Sequence, residues 1–281
     1  MIWLLPAAFC SVAIALILKV NEGRAGNRIL FAGANYLVAS GVSFLMLGAR
    51  LPRPGGGTLA LGGAAGIIYV LGFLLLMAAV ARLPLAVPVT VARLSVILPV
   101  ALSVLLWAER PTLLQWLGIG LGLVAVLLFG ASFSGVGSAG GARARIVPLV
   151  AALFAVLGLG DVALKAFRET APDFDRLAFT WILFTVAAVL TWILAFARRV
   201  RFDARTFGLG LVLGVPNLFS TVFTLYALRS VSASIAFPFI NLTVIAGSTL
   251  AALAIWKERL RGLSLVGLCV AGCAILLLAL G

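Results

Sequence analysis

Histidine is absent from this chain, and acids are scarce: eight Asp and Glu stand among 281 residues, against 21 Lys and Arg. Without imidazole, the common zinc-ligand sets and proton relays lose their usual residue. Cysteine is nearly absent too. Cys10, Cys269 and Cys273 all lie inside apolar runs. The last two are four apart and are expected to pack on one helix face rather than form a disulfide or hold a metal. Charged residues make up only 10%, where a soluble domain carries about 25%. Apolar residues fill the space: 64% of the chain is hydrophobic and its mean hydropathy is +1.24. A globule in water cannot hide that much apolar surface. The chain therefore reads as an integral membrane protein, which argues against a soluble enzyme, a DNA-binding domain and a secreted disulfide scaffold. Its net charge of +13 would suggest nucleic acid in a soluble protein. Here the cations lie between apolar runs, where they orient the chain and meet anionic lipid head groups. Neither a nucleic-acid partner nor a cofactor is expected; the partners are the bilayer and a small solute.

A membrane-spanning helix needs about 20 largely apolar residues. Ten segments qualify: 2–20, 28–48, 57–81, 85–107, 111–131, 146–166, 176–197, 206–228, 232–256 and 262–280. The first has no positive residue before it and nine spans after it, so it reads as a span and not as a cleaved signal. The longest break is Ser132 to Arg145 (SFSGVGSAGGARAR), whose Gly and Ser content reads as a flexible linker. It separates a first five-helix repeat (1–131) from a second (146–281). The halves look duplicated. Trp107-Ala108-Glu109-Arg110 closes the fourth span and Trp256-Lys257-Glu258-Arg259 closes the ninth. The same offset carries Gly118 to Gly267, and Pro88 meets Pro238 within one residue. Five spans is an odd number, so the second copy inserts upside down. The fold expected is all-α, with ten transmembrane helices in two inverted five-helix repeats, a plan common among secondary transporters.

These features resemble the EamA-type transporters of the drug/metabolite transporter superfamily. The resemblance rests on Pro99 to Glu109 (PVALSVLLWAE) leading to Gly118, and on Trp256 to Glu258 before Gly267. It covers essentially the whole chain and implies export of amino acids, other small metabolites or drugs. It also implies cytoplasmic termini. The charge count points the other way, since seven Lys and Arg fall on the face of the amino terminus and thirteen on the opposite face, Arg93 aside. The positive-inside rule then puts both termini outside, and orientation stays open.

Arg93 carries the sharpest signal. It lies near the middle of PVTVARLSVILPV, between Pro88 and Pro99. An arginine at mid-membrane costs at least about 2.5–3.5 kcal/mol. It must face a wet cavity or a partner. It either anchors a carboxylate or phosphate of a substrate through bidentate contacts, or it satisfies an internal partner or carbonyls freed by the prolines. Asp161, in GLGDVALKAF, either pairs with Lys165 four residues on or serves as a proton-coupling carboxylate. The string Gly158-Leu159-Gly160-Asp161 also matches the GxGD of intramembrane aspartyl proteases. That chemistry needs two facing carboxylates, and the other aspartates (Asp173, Asp175 and Asp203) lie in connections. No enzyme is expected.

Uncharged polar residues gather in corresponding spans: Tyr69 in the third, Thr90 in the fourth, Asn217, Ser220, Thr221 and Thr224 after Pro216 in the eighth, and Asn241 and Thr243 after Pro238 in the ninth. Prolines free carbonyls for a ligand; the alternative is interhelical hydrogen bonding, worth about 0.6 kcal/mol each. Asn35, Tyr36 and Trp181 could line the same cavity. Glu109 and Glu258 precede the fifth and tenth spans, as caps paired with Arg110 or Arg259 or as gating acids. Gly118 and Gly122, repeated as Gly267 and Ala271, allow close helix contact. They make spans five and ten either a scaffold pair or a homodimer surface.

The substrate-binding residues expected are therefore Arg93, Asn217, Asn241, Tyr69, Thr90 and Trp181, with Asp161 for proton coupling. The function expected is secondary transport by alternating access, with a small anionic or zwitterionic metabolite, amino-acid-like, or a drug leaving the cell across the bacterial inner membrane. A flippase for a lipid-linked phosphate is the runner-up, and a non-transporting scaffold is third.

Overall fold

The computed structural model describes residues 2–22, 27–48, 54–80, 82–83, 86–133, 143–257 and 262–281. In chain order the helices are α1 (Leu4–Glu22), α2 (Arg28–Leu47), α3 (Gly56–Val80), α4 (Ala86–Leu94), α5 (Ile97–Trp107), α6 (Leu113–Phe133), α7 (Arg143–Thr170), α8 (Arg176–Ala197), α9 (Ala204–Ala227), α10 (Ala233–Trp256) and α11 (Gly262–Leu280), with a 3-10 turn at Asp173–Asp175. Among the described residues eight stretches are long and apolar enough to cross a membrane, α4 and α5 counting as one, and Leu113–Leu128 and Leu265–Leu280 are shorter apolar helices. The architecture is all-α and polytopic. Linker residues 134–142 and Glu258 lie outside the described residues.

The chain forms two compact units that do not follow its sequence halves: Met1–Val70 with Ala163–Ser230, and Leu71–Val162 with Val231–Gly281. In the first, α2 packs against both α8 and α9, and α1 packs on α9. Asn27 caps α2, its Oδ1 accepting from the N–H groups of Ile29 (2.9 Å) and Leu30 (3.3 Å). Asp203 caps α9 by accepting from Thr206 N–H at 2.8 Å. Gly210 and Gly214, one turn apart on α9, let it lie on the α2 backbone: a Cβ at either would come within 2.5–2.6 Å of the carbonyl oxygens of Phe31 and Asn35. Asp175 is buried (1% exposed), and its Oδ2 accepts from Thr58 Oγ1 (2.7 Å) and Gly55 N–H (3.3 Å), tying the start of α3 to that of α8. Beside it Asp173 pairs with Arg176 (3.0 Å) and Arg229 (2.7 Å), and the Arg176 guanidinium lies 4.1 Å from the centre of the Tyr226 ring.

In the second unit α6 runs against α11, and α10 packs on α5, α6 and α11. Gly118 faces α11, where a Cβ would meet Leu278 at 2.9 Å. Helices α5 and α10 end alike. Ala108 and Lys257, each directly after the tryptophan of its W-x-E-R segment, are left-handed (φ 51° and 52°), and their N–H groups reach back five residues to Ser103 and Ala252. Cys269 and Cys273 are free thiols one turn apart on α11, both exposed; in a spanning helix an exposed thiol is at home against lipid because it is a small hydrophobe.

Candidate solute site

The fourth span is broken. Helix α4 stops at Leu94 and α5 starts at Ile97, with a turn at Ser95–Val96 between them. Pro99 is the cause: it has no N–H to give the Ser95 carbonyl, and its ring crowds that oxygen. Leu98 N–H takes over at 3.0 Å, one residue short of helical register. Arg93 therefore sits in the last turn before an interruption, where apolar helix gives way to irregular backbone. Such backbone is tolerated at membrane depth only inside protein or beside water.

The Arg93 guanidinium is half-buried. Its Nη1 donates to Asn241 Oδ1 of α10 at 3.1 Å. Asn241 in turn donates from Nδ2 to the Phe237 carbonyl, one turn back on the same helix, at 3.2 Å. Asp161, also half-buried, lies within electrostatic reach of Arg93 without closing a direct ion pair with it among the described residues. Gly158 brings them into range. A Cβ there would stand 2.6 Å from Leu98 Cβ and 2.8 Å from the Ser95 oxygen, so only glycine lets α7 approach the break. One turn later α7 presents Asp161. Lys165 is buried and donates to Glu169. Thr90, one turn before Arg93, is itself engaged.

Glu109 acts on a helix remote in sequence. Its Oε1 and Oε2 accept from the N–H groups of Ala233 and Ser234, both at 2.9 Å, at the start of α10. Sequence proximity points to the fifth span instead; the left-handed Ala108 turns the carboxylate towards α10.

The other expected residues belong to the first unit. Asn217 Nδ2 donates to Asn35 Oδ1 at 3.1 Å, and one turn on Ser220 meets Ser11 at 2.7 Å. Tyr36 hydroxyl donates to the Tyr69 carbonyl at 3.5 Å. The Tyr69 ring packs edge-on against Phe184 at 6.2 Å, and Trp181 leans on Phe44 at 5.7 Å. Arg93, Asn241, Asp161 and Thr90 thus share one unit, while Asn217, Tyr69 and Trp181 share the other. In the sequence Gly158 shows only as the first residue of a GxGD string, with nothing to mark it as a point of close helix approach, and Asn35 holds only a supporting place.

Fold and site define a polytopic helical protein that holds charges inside its spans. The profile of the EamA-like transporter family matches residues 1–131 and 144–280. An uncharacterised protein of Haemophilus influenzae is 25% identical over 278 residues, covering 94% of this chain and 93% of that one. A crystal structure superimposes with a TM-score of 0.80 at 16% identity, over 99% of this chain and 96% of the other, which speaks for the fold alone. The chain belongs to the EamA-like transporter family. It is a multi-pass membrane transporter.

Proposed function

We propose that the protein is a secondary transporter exporting a small anionic or zwitterionic solute, amino-acid-like, by alternating access between two inverted five-helix repeats of a bacterial inner membrane. One observation carries the reading: a half-buried guanidinium at a broken span, held by one neutral amide and joined to no carboxylate in a direct ion pair among the described residues. A permanent charge so placed keeps bonding capacity for a carboxylate, which a guanidinium engages in bidentate fashion. Asp161, on the opposite side of the charge balance, suits an ammonium group or a coupled proton. The shared left-handed ends of α5 and α10 support a common origin for the two halves. Asn217, Tyr69 and Trp181 are proposed solute contacts within the first unit, and Glu109 serves as a cap.

The test is counterflow in proteoliposomes with a panel of amino acids and drugs. Uptake that is saturable and lost in Arg93→Ala supports the reading. Normal counterflow by the alanine variant removes Arg93 as the anchor. Movement of a labelled phospholipid between leaflets, with no solute counterflow, replaces the reading with a flippase.

A further inference from the structure

Beside Asn241 the second unit contains a cavity of about 170 Å³. Its walls are Val96 and Val100 of the fourth span, Ile119 and Val126 of α6, and Pro238 and Leu242 of α10. Among the described residues, Asn241, the residue that accepts from Arg93, is the only polar side chain in its lining besides the Trp116 indole. Val96 belongs to the Ser95–Val96 break that ends the turn of helix carrying Arg93. One amide therefore separates the charged group from a half-open apolar pocket, two of whose lining residues, Ile97 and Trp116, are 39% and 45% exposed. Two functions of a single ligand fit this arrangement: a carboxylate at Arg93 and a hydrocarbon group behind Asn241.

We infer that the transported solute is amphipathic, a small carboxylate or zwitterion bearing a compact apolar group, and that the cavity between α5, α6 and α10 receives that group and sets selectivity. This rests on the reading of Arg93 as the anchor. A wholly polar solute of equal charge would leave the cavity unfilled and gain nothing from it. Burying hydrocarbon contributes about 0.8 kcal/mol per methylene, so affinity rises about fourfold for each carbon until the space is full.

The experiment uses proteoliposomes loaded for counterflow of labelled norleucine, competed by α-amino monocarboxylates with linear side chains from methyl to hexyl. Glutamine serves as the polar control. Half-inhibitory concentrations are expected to fall about fourfold per carbon and then to level off, with glutamine at least tenfold weaker than norleucine. Ala101→Phe, which fills the cavity, moves the plateau to shorter chains. Val100→Ala, which enlarges it, moves the plateau to longer ones. Opposite shifts from two variants separate selectivity from misfolding. Binding is read independently as a change in intrinsic fluorescence that Trp116→Phe abolishes. Equal competition along the series, or plateaus unmoved in both variants, overturns the inference and leaves the anchor reading intact provided Arg93→Ala still abolishes counterflow. Loss of the anchor reading shows differently: no member of the series, alanine included, undergoes counterflow, or Arg93→Ala transports normally.

Discussion

At the scale of the residue, the decisive quantity is the cost of holding charge away from water. Among the described residues Arg93 has one neutral hydrogen-bond partner, Asn241, and a carboxylate in reach but not in contact. A hydrogen bond to a charged group is worth about 1.5–3 kcal/mol, so Arg93→Ala is expected to cut transport about ten- to hundredfold, measured as initial counterflow rate. Arg93→Lys keeps the charge but loses the fork and should retain a fraction of that rate. Asp161→Asn keeps shape and removes the titrating group. Transport by that variant should lose its response to an imposed pH gradient; an unchanged pH profile would assign coupling elsewhere. Glu109 illustrates a different use of charge. Its carboxylate serves two N–H groups that open α10, and replacing one charged acceptor by an amide removes at least one of those bonds. Glu109→Gln should lower the thermal unfolding temperature in detergent while leaving the solute preference unchanged.

At the scale of the element, close approach and capping decide. Gly158→Val places atoms within the radius of the Ser95 carbonyl and Leu98. Overpacking of this kind costs about 1–3 kcal/mol. Displacing α7 from the break would also draw Asp161 away from Arg93. Both stability and counterflow should therefore fall, where Gly208→Ala, in open space, should change neither. Asp203 is the clearest case of pH linkage outside the membrane. The Thr206 hydroxyl and then its N–H hold the Asp203 carboxyl below the usual carboxylate range. A group whose value is lowered by folding contributes stability above its unfolded value and loses it as pH falls through the folded one. Asp203→Ala should thus lower the unfolding temperature at pH 7, and the gap from the wild type should narrow below about pH 4.

At the scale of the whole molecule, the sequence halves and the compact units are different divisions. Helix α2 of the first half packs on α8 and α9 of the second, and α6 of the first packs on α11 of the second. Contacts within a half, such as α4 on α6 or α10 on α11, stand beside these crossings between halves. A chain cut within 134–142 and expressed as two pieces together should co-purify and support counterflow, whereas either piece alone should aggregate or be degraded. The side of α6 that carries Gly118 is already spent on α11 within one chain.

Local composition alone determined the class and the helices. The span ends read from hydropathy fall within about four residues of those observed, from 28–48 against Arg28–Leu47 to 176–197 against Arg176–Ala197, because a bilayer admits little backbone other than hydrogen-bonded helix and selects it by apolar length. Arg93 and Asp161 were legible for the same reason, as charges where charge is costly. Tertiary structure alone decided what those charges face. The Arg93–Asn241 bond joins residues 148 positions apart, Glu109 reaches across 124 positions to α10, and the division into units cuts through α3 and α7. Hydropathy has no long-range term. It registers how much of a helix is apolar, whereas which face meets which neighbour depends on small residues such as Gly158 and Gly210, whose effect exists only once a second backbone is present to approach.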